Sequence, residues 1–208
     1  YAAARTLADT LPDLTTPETT EPLPTTTISD LAKAGAVSIR QAPMGMLADR
    51  GDLPVLTVKD VRLGHPPSAA GSIVPGSIEL RRGDVVALPP GRHAAVRVLT
   101  EDRILLGPQL LLFRVDPKRL DPQFLAGFLR IAQTATRTSS GSVRADFHRA
   151  SLLRLPIEAQ REYGEAFQML SAFQQSVRDM AELAESFVAL GFAGLADGRL
   201  RPGGAASG

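Results

Sequence analysis

The chain has no cysteine and no tryptophan, and only 5% of its 208 residues are aromatic. Without cysteine there can be no disulfide, thiol nucleophile or Cys-ligated zinc, and the composition fits a cytoplasmic protein. So few rings argue against a broad aromatic binding platform. No apolar run approaches the roughly 18 residues of a membrane span, so no membrane partner is expected. The first residues, Tyr1-Ala-Ala-Ala-Arg5, lack the apolar core of a signal peptide. The chain begins with Tyr rather than Met, and we expect it to be processed or a piece of something longer.

Enzyme signatures are equally scarce. His65, His93 and His148 stand at no metal-ligand spacing from one another, and there is no H-E-x-x-H pattern. They read as surface histidines, and no metal site is expected. There is no G-x-S-x-G elbow and no Walker A lysine loop. Ser139-Ser140-Gly141-Ser142 could form a small anion nest, but it lacks the lysine of a nucleotide site. No carboxylates pair in an apolar setting suited to acid–base work. The Asn/Asp-Pro-Pro-aromatic motif of adenine-N6 methylation is missing, as is a Gly-rich site for S-adenosylmethionine. No catalytic residue is assigned.

What is present is a chain with 44% hydrophobic residues, enough for a real core, and an uneven charge. The net charge of +1 divides into −2 over residues 1–51, +6 over 52–154 and −3 over 155–208. The middle half could therefore meet a polyanion. On charge alone, a mildly basic solvated surface explains it as well.

Thr10 to Thr27 contains eight Thr and four Pro. Such a stretch neither makes helix nor buries apolar surface, so residues 1–27 read as an N-terminal segment and extended linker. Residues 28–52 form a lead-in: a short helix with Ser29 as N-cap, ended by Gly35, then a strand at Val37–Arg40. From Leu53 to Leu155 the texture is short strands between turns. Val55–Val58, running on through Lys59-Asp60-Val61, is the first. Ser77–Leu80, Val85–Leu88, Ala94–Leu99, Ile104–Leu106 and Leu110–Val115 follow. Asp121 and Pro122 open a helix to about Ala132, with Asp121 as N-cap. A polar loop from Thr134 to Ser142 comes next.

The strongest periodic signal is last. Tyr163, Phe167, Leu170, Phe173, Val177, Met180, Ala184 and Phe187 recur at intervals of three and four. They place one apolar stripe on a helix over residues 156–192. Residues 157–190 would span about 50 Å at 1.5 Å per residue, more than a domain of this size requires. The excess should pack on a partner helix; the alternative is a helix laid across its own domain. Gly191, Gly194 and Gly198 are expected to end it, leaving residues 193–208 as a disordered tail.

Several pieces taken in order resemble the target recognition domain of type I restriction-modification specificity subunits. Pro54 to Val61, then Gly64, resembles its opening. Leu80-Arg81-Arg82-Gly83-Asp84-Val85-Val86 is similar to its recurring Leu-x-x-Gly-Asp-aliphatic-aliphatic strand. Leu120-Asp121-Pro122-Gln123-Phe124-Leu125, with Leu129, resembles its mid-domain helix. Gly141 to Arg144, then Leu152 to Gln160, is similar to its exit into a long helix. The resemblance covers about residues 53–190. It departs at the exit, where one proline and Ala159 stand in place of two prolines and a second glutamate. A full specificity subunit also carries two recognition domains and two helices, against one of each here. The linker, the Thr27–Leu31 helix start and Gly194-Leu195-Ala196-Asp197-Gly198 resemble the C-terminal region of certain N6-adenine DNA methyltransferases.

The resemblance implies an α+β fold: a compact, mainly-β target recognition domain with short helices, followed by one long coiled-coil-type helix. It implies a double-stranded DNA reader, itself not an enzyme, that directs an adenine-N6 methyltransferase. S-adenosylmethionine would belong to that enzyme, with no cofactor in this chain. Candidate DNA contacts, at strand ends and in loops, are Lys59, Arg62, His65, Arg92, His93, Arg97, Gln109, Arg137, Thr138, Ser140, Arg144 and His148. Arg92-His93 and Arg137–Arg144 are favoured, because Gly91 and Gly141 permit close backbone approach. Pairing would run through Tyr163, Phe167, Leu170, Phe173, Val177, Met180 and Phe187. It would form a homodimer or an assembly with another specificity or methyltransferase subunit. A protein–protein scaffold that binds no DNA is the rival reading.

Overall fold

The structure is a computed structural model that describes residues 11–16, 21–42, 51–89, 95–138 and 147–201. In chain order the elements are β1 (Thr25–Thr27), α1 (Ile28–Lys33), β2 (Val37–Gln41), β3 (Leu53–Leu56), α2 (Val58–Leu63), β4 (Ala69–Gly71) and β5 (Glu79–Leu80). They continue with β6 (Val85–Ala87), β7 (Val96–Val98), β8 (Ile104–Leu106), β9 (Leu111–Val115), α3 (Pro122–Thr138), a 3-10 turn at Phe147–Arg149, β10 (Ser151–Leu153) and α4 (Ile157–Ala196). The fold is α+β, with short strands and short helices followed by one long helix.

Residues 14–168 form one compact unit. Its centre is two four-stranded sheets, ordered β2-β9-β6-β7 and β4-β3-β8-β5. Among the described strands only β3 and β8 run parallel. Alternation along the strands decides the layers. Val85, Ala87, Val96 and Phe113 turn one face of the first sheet toward Ile28, Phe124, Leu125, Leu129 and Phe147. Val86, Leu88, Leu110 and Leu112 turn the other face toward Leu56, Leu80, Ile104 and Leu106 of the second sheet. The first sheet is thus covered by helices on one side and by the second sheet on the other.

The Leu-x-x-Gly-Asp motif has a local physical reason. Gly83 takes a left-handed backbone, φ +85°, where a side chain would be strained. Asp84 is then 3% exposed. Its Oδ2 accepts from the Arg81 amide at 2.8 Å, and its carboxylate takes two guanidinium bonds from Arg114, at 2.9 and 2.6 Å. Arg114 also donates to the Glu79 carbonyl at 2.9 Å. The motif therefore ties the start of β6 to β9 and β5.

Five expectations change. Thr27, not Ser29, caps α1: its hydroxyl accepts from the Asp30 amide at 3.1 Å. The end of the Thr-rich segment is not a free linker, because Thr25–Thr27 pairs antiparallel with Ser151–Leu153. Residues 58–63 are helix, not a continuation of the strand. Thr57 and Asp60 form a reciprocal capping box, and left-handed Gly64 closes the helix; those local bonds outweigh the β preference of Val58 and Val61. Helix α3 runs to Thr138 rather than ending near Ala132. Helix α4 passes Gly191 and Gly194 and ends at Ala196 rather than 192. There Gly198, φ +74°, reverses the chain, and the Leu200 amide donates to the Gly194 carbonyl at 2.7 Å.

Candidate nucleic-acid interface

Strand register gathers one end of the two sheets into a rim. Strands β3 and β8 run parallel and finish together, with Leu56 opposite Leu106. Helix α2 follows the first directly, and the turn 107–110 follows the second. The Gly107 amide donates to the Leu56 carbonyl at 3.0 Å, which pins that turn to the start of α2. Strand β9 begins from the same turn, with Leu111 opposite both Gln41 and Ala87. The end of β2, the end of β6 and the beginning of β7 therefore lie there too.

Five of the candidate DNA contacts fall on this rim. Lys59, Arg62 and His65 are exposed on α2 and just after it, on a helix rather than the strand expected. Arg97 is half-buried on β7, and its guanidinium donates to the His65 carbonyl. Gln109 is exposed in the turn, at φ +65°. The carboxylate that α2 places among these cations, Asp60, is 1% exposed. Its Oδ2 accepts from the Thr57 amide at 2.8 Å, the Thr57 hydroxyl at 2.8 Å and the Ser68 amide at 3.1 Å. Burial raises the pKa of this carboxyl, and the bonds from Ser68 and Thr57 outweigh that, leaving it below the ordinary value. Asp60 stays ionised but spends its charge on backbone donors, so the exposed field of α2 is cationic.

Helix α3 brings a further candidate segment to the same end. The Leu88 amide donates to the Ala95 carbonyl at 3.1 Å, closing the base of the β6–β7 connection. Gln133 donates to the Leu88 carbonyl at 2.8 Å and Arg130 to the Val96 carbonyl at 2.7 Å. Arg137 and Thr138 follow in the last turn of α3, not in the expected loop. Desolvation pulls the Arg130 guanidinium down to about 10, which leaves it charged at neutral pH. Arg130 and Gln133, which hold the connection that carries Arg92 and His93, are not among the sequence-based candidates. Their signal is a pair of polar side chains three apart, Arg130 and Gln133, directly after the apolar run Phe124–Leu129.

His148 falls elsewhere. It sits on the 3-10 turn beside α1, where the Ile28 amide donates to the Ala150 carbonyl at 3.1 Å. Its neighbour Phe147 packs edge-on against Phe113, centroids 5.5 Å apart. Phe113 is opposite Val85, at the far end of β6. Arg92, His93, Ser140 and Arg144 lie outside the described residues. Among the described residues no group of three His, Asp or Glu could hold a metal, and no helix is long and apolar enough to cross a membrane.

On the long helix, Tyr163 and Phe167 face the chain's own α3. Tyr163 meets Phe124 edge-on, centroids 6.3 Å apart, and Phe167 meets Phe128 at 5.6 Å. The side chain of Gln160, 7% exposed, accepts from the Asp121 amide at 3.0 Å and donates to the Leu155 carbonyl at 2.9 Å. Two glycines allow this approach: a Cβ on Gly164 would press on Asp121 and Phe124, and one on Gly127 would enter the Phe167 ring. From Met169 onward the helix belongs to a second unit. There Phe173 is half-buried, while Leu170, Val177, Met180 and Phe187 are exposed, as are Leu183, Leu190 and Phe192.

No protein-family model matches the sequence, and no curated protein is detectably similar to it. Solved structures are similar. A chain of a type I restriction-modification system, solved for its complex assembly and conformational transition, superposes with a TM-score of 0.56 at 17% identity, covering 91% of this chain and 51% of that one. The HsdS subunit from Thermoanaerobacter tengcongensis gives 0.53 at 19% identity, covering 86% of this chain and 44% of that one. The type I restriction-modification S subunit from M. genitalium gives 0.50 at 10% identity, covering 81% and 44%. This chain thus spans about half the length of the chains it matches. Its fold, an α+β domain of short strands and helices followed by one long helix, is the fold of type I specificity subunits.

Proposed function

We propose that this chain is a sequence-specific double-stranded DNA recognition module that directs an adenine-N6 DNA methyltransferase to its site. The observation that carries the reading is the cationic rim at the strand ends of a specificity-subunit fold. A duplex presents a regular array of phosphates, which Lys59, Arg62 and Arg97 could neutralise. Side chains on the adjoining turns would then reach base edges in the major groove. The opposite end of the sheets mixes Arg81, Arg82 and Arg103 with Glu101 and Asp102, and suits a polyanion less well. This reading makes the chain itself non-catalytic. S-adenosylmethionine belongs to the methyltransferase partner, and the work is done in the cytoplasm.

Pairing completes the reading. The chain has the length of about half a specificity subunit, and a half-subunit reads half of a split site. The exposed apolar residues from Leu170 to Phe187 would meet a second such helix, from another copy or from a methyltransferase or specificity subunit.

The test is duplex binding as a function of salt. We expect binding at low salt that weakens steeply as salt rises. No duplex binding at low salt, with the helix paired, would rule the reading out in favour of a protein–protein scaffold.

A further inference from the structure

Arg103 and Gln109 hold positive φ without being glycine, at +61° and +65°. A left-handed backbone is costly for a residue that carries a Cβ, least so for asparagine and aspartate, and elsewhere it persists where the surroundings enforce it. Gln109 sits at the third position of the turn Gly107-Pro108-Gln109-Leu110, where glycine or asparagine would be the relaxed choice. The turn is not loose. Leu106 and Leu110 on either side are fully buried, and a Cβ on Gly107 would collide with the Leu56 carbonyl. A rigid base thus presents one exposed amide side chain, at the sheet end where α2 begins and β6 finishes. Glutamine's amide matches the paired acceptor and donor on the major-groove edge of adenine.

We propose that Gln109 is a specificity-determining residue that reads one A·T pair, its backbone strain retained because the side chain is needed there. This rests on the DNA-recognition reading above. Arg103 is the internal control: it has the same left-handed backbone but lies at the far end of the sheets, between Asp102 and β8. The place on the rim and not the strain alone marks Gln109, and Arg103 is expected to read no base.

The experiment is selection from a random duplex pool with the full 208-residue chain, comparing the native sequence with Gln109→Gly, Gln109→Met and Arg103→Gly. Glycine relaxes the turn, and methionine keeps the stem while removing the amide. The native chain is expected to select a consensus containing an A·T pair. Both Gln109 variants should lose about 5- to 100-fold of discrimination at that one pair and keep the others. Arg103→Gly should select the native consensus. If the native chain selects nothing, the DNA-recognition reading fails. If it selects a consensus that both folded Gln109 variants reproduce unchanged, Gln109 reads no base and this inference alone is overturned.

Discussion

The ring of Phe167 fills the space that a side chain on Gly127 would need. Gly127 lies in the second turn of α3 and Phe167 in the third turn of α4, and a Cβ at 127 would run into the ring. Gly164 makes the reciprocal approach toward Asp121 and Phe124. The two helices touch at small residues, and Gln160 fastens the contact by bonding the amide that begins α3.

Gly127→Ala should therefore destabilise the domain, although alanine is the better helix former by about 1 kcal/mol. Overpacking of a buried contact costs about 1–3 kcal/mol. Phe167→Ala alone should cost about 3 kcal/mol as its ring leaves Phe128. The double variant should be more stable than the sum of the two changes, because the cavity accepts the new methyl. Denaturant unfolding of the four proteins measures this. Strict additivity would mean the ring does not rest on Gly127.

Breaking the Asp84–Arg114 pair should be severe. Asp84→Ala takes from Arg114 the carboxylate it is hydrogen-bonded to and leaves the Arg81 amide without that acceptor. With Arg114 a quarter exposed, the expected loss is about 2–4 kcal/mol. Asp84→Asn should cost less, since it keeps an acceptor. The ranking is read from urea midpoints. A cost for Asp84→Ala under about 0.5 kcal/mol, as at an ordinary surface site, would show that the pair does not organise the strand.

Much of this is legible in the chain. Leu-x-x-Gly-Asp announces a tight turn into a strand, while the burial of its carboxylate depends on Arg114 arriving from β9. The interval of three and four residues announces the long helix. What misleads is competition between local signals. Val58 and Val61 favour a strand, yet Thr57 and Asp60 cap a helix; the box is in the sequence, but its bonds exist only once Asp60 is buried. Arg97 and Gln109 are identifiable as candidates, and register alone shows that they share a rim, since it depends on which strands pair. His148 reads as one of the same set, because a histidine near basic residues has no address until Phe147 is seated under Phe113. The meaning of Gly127 and Gly164 is set entirely by what crosses them.

Asp60 supplies a pH test. Its folded pKa lies below the unfolded value of about 3.9. A carboxyl lowered on folding contributes stability that is present above the unfolded pKa and is lost as pH falls through the folded one. Asp60→Asn should be less stable than the native chain at pH 7. The gap should narrow as pH drops below about 4. Thermal or urea unfolding from pH 7 to 3 gives the comparison. A gap that widens in acid would mean the carboxyl is not held ionised by Thr57 and Ser68.

The rim and the far end of the sheets can be separated by charge. Lys59→Glu with Arg62→Glu should weaken duplex binding and lower the salt slope by about 2, one for each phosphate no longer neutralised. Arg81→Glu with Arg82→Glu changes the net charge equally but acts at the opposite end, and should leave the slope nearly unchanged. Equal effects of the two pairs would mean that only net charge matters, and the rim would have no special place.

The helix makes the last separation. Tyr163 and Phe167 are engaged by Phe124 and Phe128 of the same chain, so substituting them would damage the domain and say little about pairing. The informative positions are Met180 and Phe187, 44% and 76% exposed, since both lie beyond Met169 in the second unit and neither belongs to the domain core. An apolar row of this kind, left in water, favours a second helix. If the proposed pairing holds, Met180→Asp with Phe187→Asp should abolish it by light scattering and leave the unfolding midpoint of the domain of residues 14–168 in place. Binding to a single half-site should survive, while binding to a two-half site should drop toward the single-site value as the second reader ceases to be held nearby. A native chain that stays monomeric at high concentration, and gains no mass when mixed with a methyltransferase subunit, would show that the exposed row serves no pairing.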